Sequence, residues 1–209
     1  MVSLATYKGY RKASRELMNK VMGPALSHDA LDRSGKLLGI SQRGVLVFDS
    51  EEEMTVLFDF ALNDYRVRGK NAIELYAETK GPANEMEKQL LAGFASAYTS
   101  LFRVISISKA DNSVLLRNLL TERNDVTLTD INLSRTAIPG LLLFLRLVPL
   151  RDFNMTSGFM FAFPGHLEGR LLAGYKRPVK KPELYGEARS RFVHFFKAHK
   201  THGVEVRYK

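Results

Sequence analysis

Apolar positions recur at helical spacing through the first hundred residues, and then the period shortens to that of a strand. Leu4, Tyr7, Tyr10, Leu17 and Val21 predict a helix from Ser3, its cap, to about Met22, with Gly23-Pro24 as the stop. Ser27 caps a second, shorter helix that carries Leu31, Leu37 and Leu38 and ends at Gly39. Gly44 to Phe48 is a β-type run. In the acidic stretch after it, Ser50 and Glu53 have capping-box spacing and open a helix through Met54, Leu57, Phe58, Phe60, Leu62 and Tyr65. That helix is apolar on more than one face, which predicts a central position. The segment Ala72 to Thr79 fits either a helix or a strand. Ala83 to Ser100 is the clearest helical pattern, through Met86, Leu90, Leu91, Phe94, Ala97, Tyr98 and Leu101.

From Phe102 onward five short strands are predicted, with turn residues between them: Phe102 to Ser108, Val114 to Leu120, Val126 to Asp130, Leu141 to Val148 and Phe159 to Phe163. Asn154 to Gly158 reads as the turn before the last of these. Leu141 to Val148 is an almost continuous apolar run, interrupted by Arg146, and reads as a strand buried on both faces. A short helix over His166 to Tyr175 follows. Then come a basic, proline-containing linker (Lys176 to Pro182), a last amphipathic helix (Glu183 to Lys200) and an alternating edge strand (Val204 to Tyr208). The order predicts an α+β protein with N-terminal helices, a small antiparallel β-barrel or curled sheet, and a C-terminal amphipathic helix. The predicted regions are 1–100, mainly helical; 101–164, the β unit; and 165–209, the basic helical end.

Composition narrows the chemistry. There is no cysteine among the 209 residues, so disulfides, thiolate nucleophiles and Cys-based zinc or iron–sulfur sites are excluded. The segment Met1 to Met22 has no apolar signal core, and the run Leu141 to Leu150 is far shorter than the ~20 residues of a membrane-spanning helix. The expectation is a cytoplasmic protein without integral membrane association.

Charge is distributed unevenly. The formal net charge is +9, yet residues 1–22 carry +4 and residues 176–209 carry +7, which leaves the intervening 153 residues at −2. Concentrated cations attract polyanions and gain from counterion release. The candidate phosphate contacts are Lys176, Arg177, Lys180, Lys181, Arg189 and Arg191, with Lys8, Arg11, Lys12 and Arg15 at the other end. Tyr185 and Phe192 are interleaved with the C-terminal cations, but the phenylalanines of that segment fit a core-facing stripe better than a stacking platform. The expected partner is nucleic acid first and an acidic protein second.

Other chemistry finds less support. Asp64 with Glu78, Thr79 and Lys80 has the form of a Mg²⁺-dependent phosphodiesterase site, in which carboxylates hold the metal and lysine stabilises charge at phosphate. That alternative requires Ala72 to Thr79 to be a strand ending beside Asp64; a helix there defeats it. No cofactor is expected otherwise. His194, His199 and His202 lack the spacing and the accompanying carboxylate of a zinc site. No phosphate-binding glycine loop and no nucleophile elbow occurs. A third possibility is a structural subunit with Leu141 to Val148 and Phe159 to Phe163 contributing to an interface.

Three stretches carry a family resemblance: FDFALNDYRVRGKNAIELY, SAYTSLFRV, and VLLRNLLTERNDVTLTDINLSRTAIPGLLLFLRLVP. Over about residues 50–165 they resemble a group of uncharacterised bacterial proteins in which a helical segment leads into a small barrel. Some of that group are similar to proteins with a SEC-C zinc-binding tail. The usual acid of the barrel's "DLL" strand is Asn118 here, and a SEC-C tail is impossible without cysteine. The resemblance implies an architecture and no activity.

Overall fold

The structure, a computed structural model, describes residues 2–176 and 186–204. It is α+β. Two compact units are present: Val2–Ala97 with Pro149–Arg151, and Tyr98–Val148 with the described residues from Asp152 onward. The first boundary thus lies at Ala97/Tyr98, three residues before the one expected from the sequence. The C-terminal helix shares the core of the β unit, so the described residues from 165 onward are not a separate body.

The helical unit contains α1 (Leu4–Ala25), α2 (His28–Leu38), a hairpin of β1 (Ser41–Gln42) and β2 (Val45–Leu46), α3 (Glu51–Asn63), α4 (Ala72–Thr79) and α5 (Glu85–Ala95). Ser3 and Ser27 cap as expected, each accepting from the backbone N–H three residues on. Gly39 closes α2 in the left-handed conformation (φ 82°). Gly23-Pro24 does not stop α1, which runs on to Ala25. The capping box expected at Ser50 is displaced by one residue. Glu53 accepts from the backbone N–H of Asp49 at 2.8 Å, while the Ser50 hydroxyl bonds the Glu52 carboxylate. The complete capping box lies instead at Asn71 and Glu74, and it resolves Ala72–Thr79 as α-helix.

α1 packs on α3, α4 and α5 through Tyr7, Leu17 and Val21, which recur on one face. Between these helices lies a buried polar cluster. Glu87, 5% exposed, accepts from Lys20 Nζ at 2.7 Å and from the Tyr76 hydroxyl at 3.0 Å. Burial alone would raise the Glu87 carboxyl, but the Lys20 and Tyr76 bonds outweigh it and hold the group below the ordinary carboxylate range.

The second unit begins where α5 gives way to strand earlier than the periodicity suggested. Tyr98 and Leu101 sit at helical spacing from Phe94, but they belong to β3 (Tyr98–Ser108). Then follow β4 (Ser113–Asn118), β5 (Val126–Thr129), the short α6 (Leu133–Thr136), β6 (Leu142–Pro149), β7 (Asn154–Phe163), α7 (Glu168–Tyr175) and α8 (Glu187–His202). The segment expected as a turn, Asn154 to Gly158, is the first half of β7, with Gly158 at φ 135°. Of the predicted final strand only Val204 is described; it makes an isolated antiparallel bridge to Ala162.

The strand order is β3-β4-β5-β7-β6, and β6 pairs again with β3. The β5–β7 contact is parallel and rests on the single pair Leu128↔Asn154. The expectation of an antiparallel barrel or curled sheet is therefore corrected to a mixed five-stranded sheet with one thin seam. The physical reason is that β6 and α6 lie between β5 and β7 in the chain, so β7 reaches β5 by a crossover and not by a hairpin. Phe102, Val104, Val114, Leu116, Leu128, Leu143, Leu145 and Leu147 fill its interior. Asn118 closes one edge: its Oδ1 accepts from the Ser100 hydroxyl at 2.6 Å and from the backbone N–H groups of Leu120 and Thr121. An uncharged amide meets that acceptor role at a 7%-exposed position without the cost of burying a carboxylate.

α8 packs on β3 and β7 and covers the other face of β6. Phe144 stacks on Phe195 (4.4 Å between centroids), Phe159 meets Phe192 (4.8 Å), and Phe161 meets Phe196 and His199. β6 is thus buried on both faces, as its apolar run predicted. Arg146 is 4% exposed, with its guanidinium 5.9 Å from the Phe192 ring centre.

Two outcomes are expected. A Cβ at Gly165 would collide with the backbone carbonyl oxygen of Gly140, which cannot rotate away as a side chain could. Gly165→Ala should therefore cost about 1–3 kcal/mol in urea unfolding, whereas Gly169→Ala, whose Cβ meets open space, should not destabilise. Glu87 has a lowered folded pKa, so its contribution is complete above the unfolded value of 4.5 and is lost as pH falls through the folded value. Glu87→Gln should cost about 1 kcal/mol near neutral pH and should flatten the acid limb of the stability–pH curve below pH ~4.5.

Candidate anion-binding surface

α1 is a helix of two chemically different faces. Tyr7, Ser14, Leu17 and Val21 are buried, while Lys8, Lys12, Arg15 and Asn19 are exposed. The exposed set recurs at intervals of four, three and four residues, which places it on one stripe away from the buried set. Lys8 to Arg15 spans about 10 Å of helix axis, comparable with three phosphate steps of a duplex strand at ~3.4 Å each. Arg11 lies at the margin of the stripe, half-buried.

Among the described residues few anions answer these cations. Lys12 approaches Glu16 at 3.9 Å, but both side chains are mostly in solvent, and such a pair contributes little. Lys20, further along the helix, is turned to the buried Glu87 and does not belong to the stripe.

The C-terminal candidates fare differently. Arg177, Lys180 and Lys181 lie outside the described residues, as does Tyr185. Lys176 is exposed just after α7. Arg189 is half-buried on α8. The Arg191 side chain is only 13% exposed. Its Nε donates to Thr99 Oγ1 at 3.3 Å and Nη1 lies 3.6 Å from Glu187, so it ties α8 to β3 and is poorly placed to reach a ligand. Phe192, Phe195 and Phe196 are buried in the aromatic layer and offer no face to a base. His194 and His199 pack in the same layer, where burial holds both imidazoles below the ordinary histidine range despite backbone bonds at Leu171 and Val204.

The phosphodiesterase alternative is not met by the geometry. Asp64 is buried at the C-terminal cap of α3, with its N–H bonded to the Phe60 carbonyl. Glu78 lies on a helix, not at a strand end, and its two oxygens accept from Lys70 Nζ at 2.6 Å. Lys80 is the exposed residue closing that helix. Among the described residues no group of three or more His, Asp or Glu side chains is arranged to hold a metal ion.

Sequence reading missed two contacts. The Glu87–Lys20–Tyr76 cluster joins residues far apart in the chain and leaves no local signature. Arg123, whose guanidinium lies 4.2 Å over the Tyr98 ring, sits in a turn with no motif around it. No described helix is long and apolar enough to cross a membrane.

No curated protein and no solved structure matches the chain, so the likeness to SEC-C-tailed proteins gains nothing from either comparison. One family profile matches over residues 1–209, the full length of the chain. By that match the chain belongs to DUF7986, a family of unknown function.

Proposed function

We propose that this protein is a non-enzymatic binding or adaptor protein that contacts a polyanion, nucleic acid in the first place, through the cationic stripe of α1. The observation that carries the reading is the exposure of Lys8, Lys12 and Arg15 at helical spacing on one face, with no acid between them in the chain and Glu16 just after. Their role is phosphate contact without base reading, because the aromatic side chains of α8 are withdrawn into the core. Lys176 and Arg189 remain candidates for a second contact on the other unit, whereas Arg191 is assigned to holding α8 in place.

Rigid presentation supports the same reading. The stripe rides on a 22-residue capped helix anchored by Tyr7, Leu17 and Val21, so its charges are ordered before a ligand arrives.

Anisotropy of labelled single- and double-stranded oligonucleotides, titrated at several salt concentrations, tests the proposal. Three to four phosphate contacts predict a log–log salt slope of about −3. The triple variant Lys8→Glu, Lys12→Glu, Arg15→Glu should abolish measurable binding and leave the far-ultraviolet circular dichroism unchanged. Binding that survives this variant would move the site elsewhere; absence of binding at low salt would leave the stripe as a solvated face and overturn the reading.

A further inference from the structure

α7 and α8 meet through a contact that contains an ionisable ring. The His194 ring of α8 stands edge-on to Phe195 (5.0 Å between centroids) and lies 5.9 Å from the Tyr175 ring of α7. Its Cε1–Nε2 edge lies against the backbone of Gly174, where a Cβ would sit 3.3 Å from Cε1 and 3.6 Å from Nε2. The ring is fitted to a glycine, and α7 approaches α8 closely there.

The two ring nitrogens differ. One is engaged by the backbone at Leu171, on α7. The other, Nε2, is buried and has no hydrogen-bond partner. In the neutral imidazole an unprotonated Nε2 carries only a lone pair, and an unmet acceptor costs far less than an unmet charged donor. Protonation turns Nε2 into a charged N–H that is closed off from solvent and held against Gly174.

The elements packed on α8 offer that charge no partner. β7 carries no ionisable residue. β3 brings Arg103, which is bonded to Glu168 of α7, and β6 brings Arg146, beside the Phe192 ring. α7 adds Tyr175 and the exposed Arg170. On α8 itself the one acid is Glu187, 81% exposed and turned to Arg191 and the Tyr175 hydroxyl, while Arg189, Lys197 and Lys200 are cations. Burial accordingly lowers the His194 pKa from 6.5, and the Leu171 bond only partly opposes it.

We infer that His194 is a pH-sensitive latch: neutral, it holds α7 against α8, and its protonation releases α7. A released ring protonates near the ordinary 6.5, whereas the closed contact resists the proton. The latch is therefore complete above pH 6.5 and is lost as pH falls from there through the closed-state value, with the opening constant rising at most about tenfold per pH unit. That window lies above the one in which Glu87 loses its contribution, which begins at 4.5. His199 bears on a different contact, because it stacks on Phe161 and meets Phe163, both of β7.

Amide hydrogen exchange on the full chain, corrected for the intrinsic rate, tests the latch. Between pH 7.5 and 5.5 the opening constant read at the Tyr175 and Lys176 amides should rise several-fold, up to about tenfold. The Val104 amide of β3, bonded to the Leu141 carbonyl, should move less. The rise should vanish in His194→Phe and persist in His199→Phe. The imidazole resonances of the unmodified protein give an answer that needs no variant: His194 should titrate below 6.5. Four results each overturn the inference: a His194 that titrates at or above 6.5, α7 amides whose protection is unchanged between the two pH values, an equal rise at Val104, or a rise that survives His194→Phe.

Discussion

The β unit depends on the burial of β6 from both sides. Leu143, Leu145 and Leu147 face the sheet interior, and the alternate positions carry Phe144 and Arg146. A strand of that composition is stable only if something covers its second face. α8 does so with Phe192, Phe195 and Phe196, and the ring contacts around Phe144 each add about 0.5–1.5 kcal/mol beyond the apolar area they bury. The same requirement explains Arg191. Anchored on Thr99 and near Glu187, it fixes the helix at the rim of the aromatic layer, with its charge held between polar groups. A C-terminal helix that looked like a basic surface element is in large part a lid on the core. Its cations are divided between Arg191, which holds it down, and exposed ones such as Lys197.

α1 shows the complementary division. Its inward face is fixed by packing, and among the described residues only the solvent-exposed Lys12–Glu16 pair engages the cations of its outward face. Helix propensity would be served equally by glutamate or glutamine at those positions. Alternating signs would add stabilising pairs at i,i+4 that the stripe forgoes, apart from Lys12 with Glu16. Arg191, by contrast, has a structural reason to be an arginine. That difference is why α1 carries the functional reading and α8 does not.

Most elements were legible in the sequence because local signals and tertiary packing agree. Ser3, Ser27 and Gly39 cap where their side chains or backbone freedom dictate. Disagreement arose where a local period ran on by chance into the next element. Ala97, Tyr98 and Leu101 continue the spacing of α5, yet strand pairing with β6 claims them from Tyr98 onward. Asn154 to Gly158 is polar enough to read as a turn, but Asn154 is the bridge residue to β5, and the strand continues through Gly158 at φ 135°. The candidate surface was less legible. Spacing identified the cations of α1, but only tertiary structure separates Arg191, drawn to Thr99, from an exposed cation such as Lys197 on the same helix.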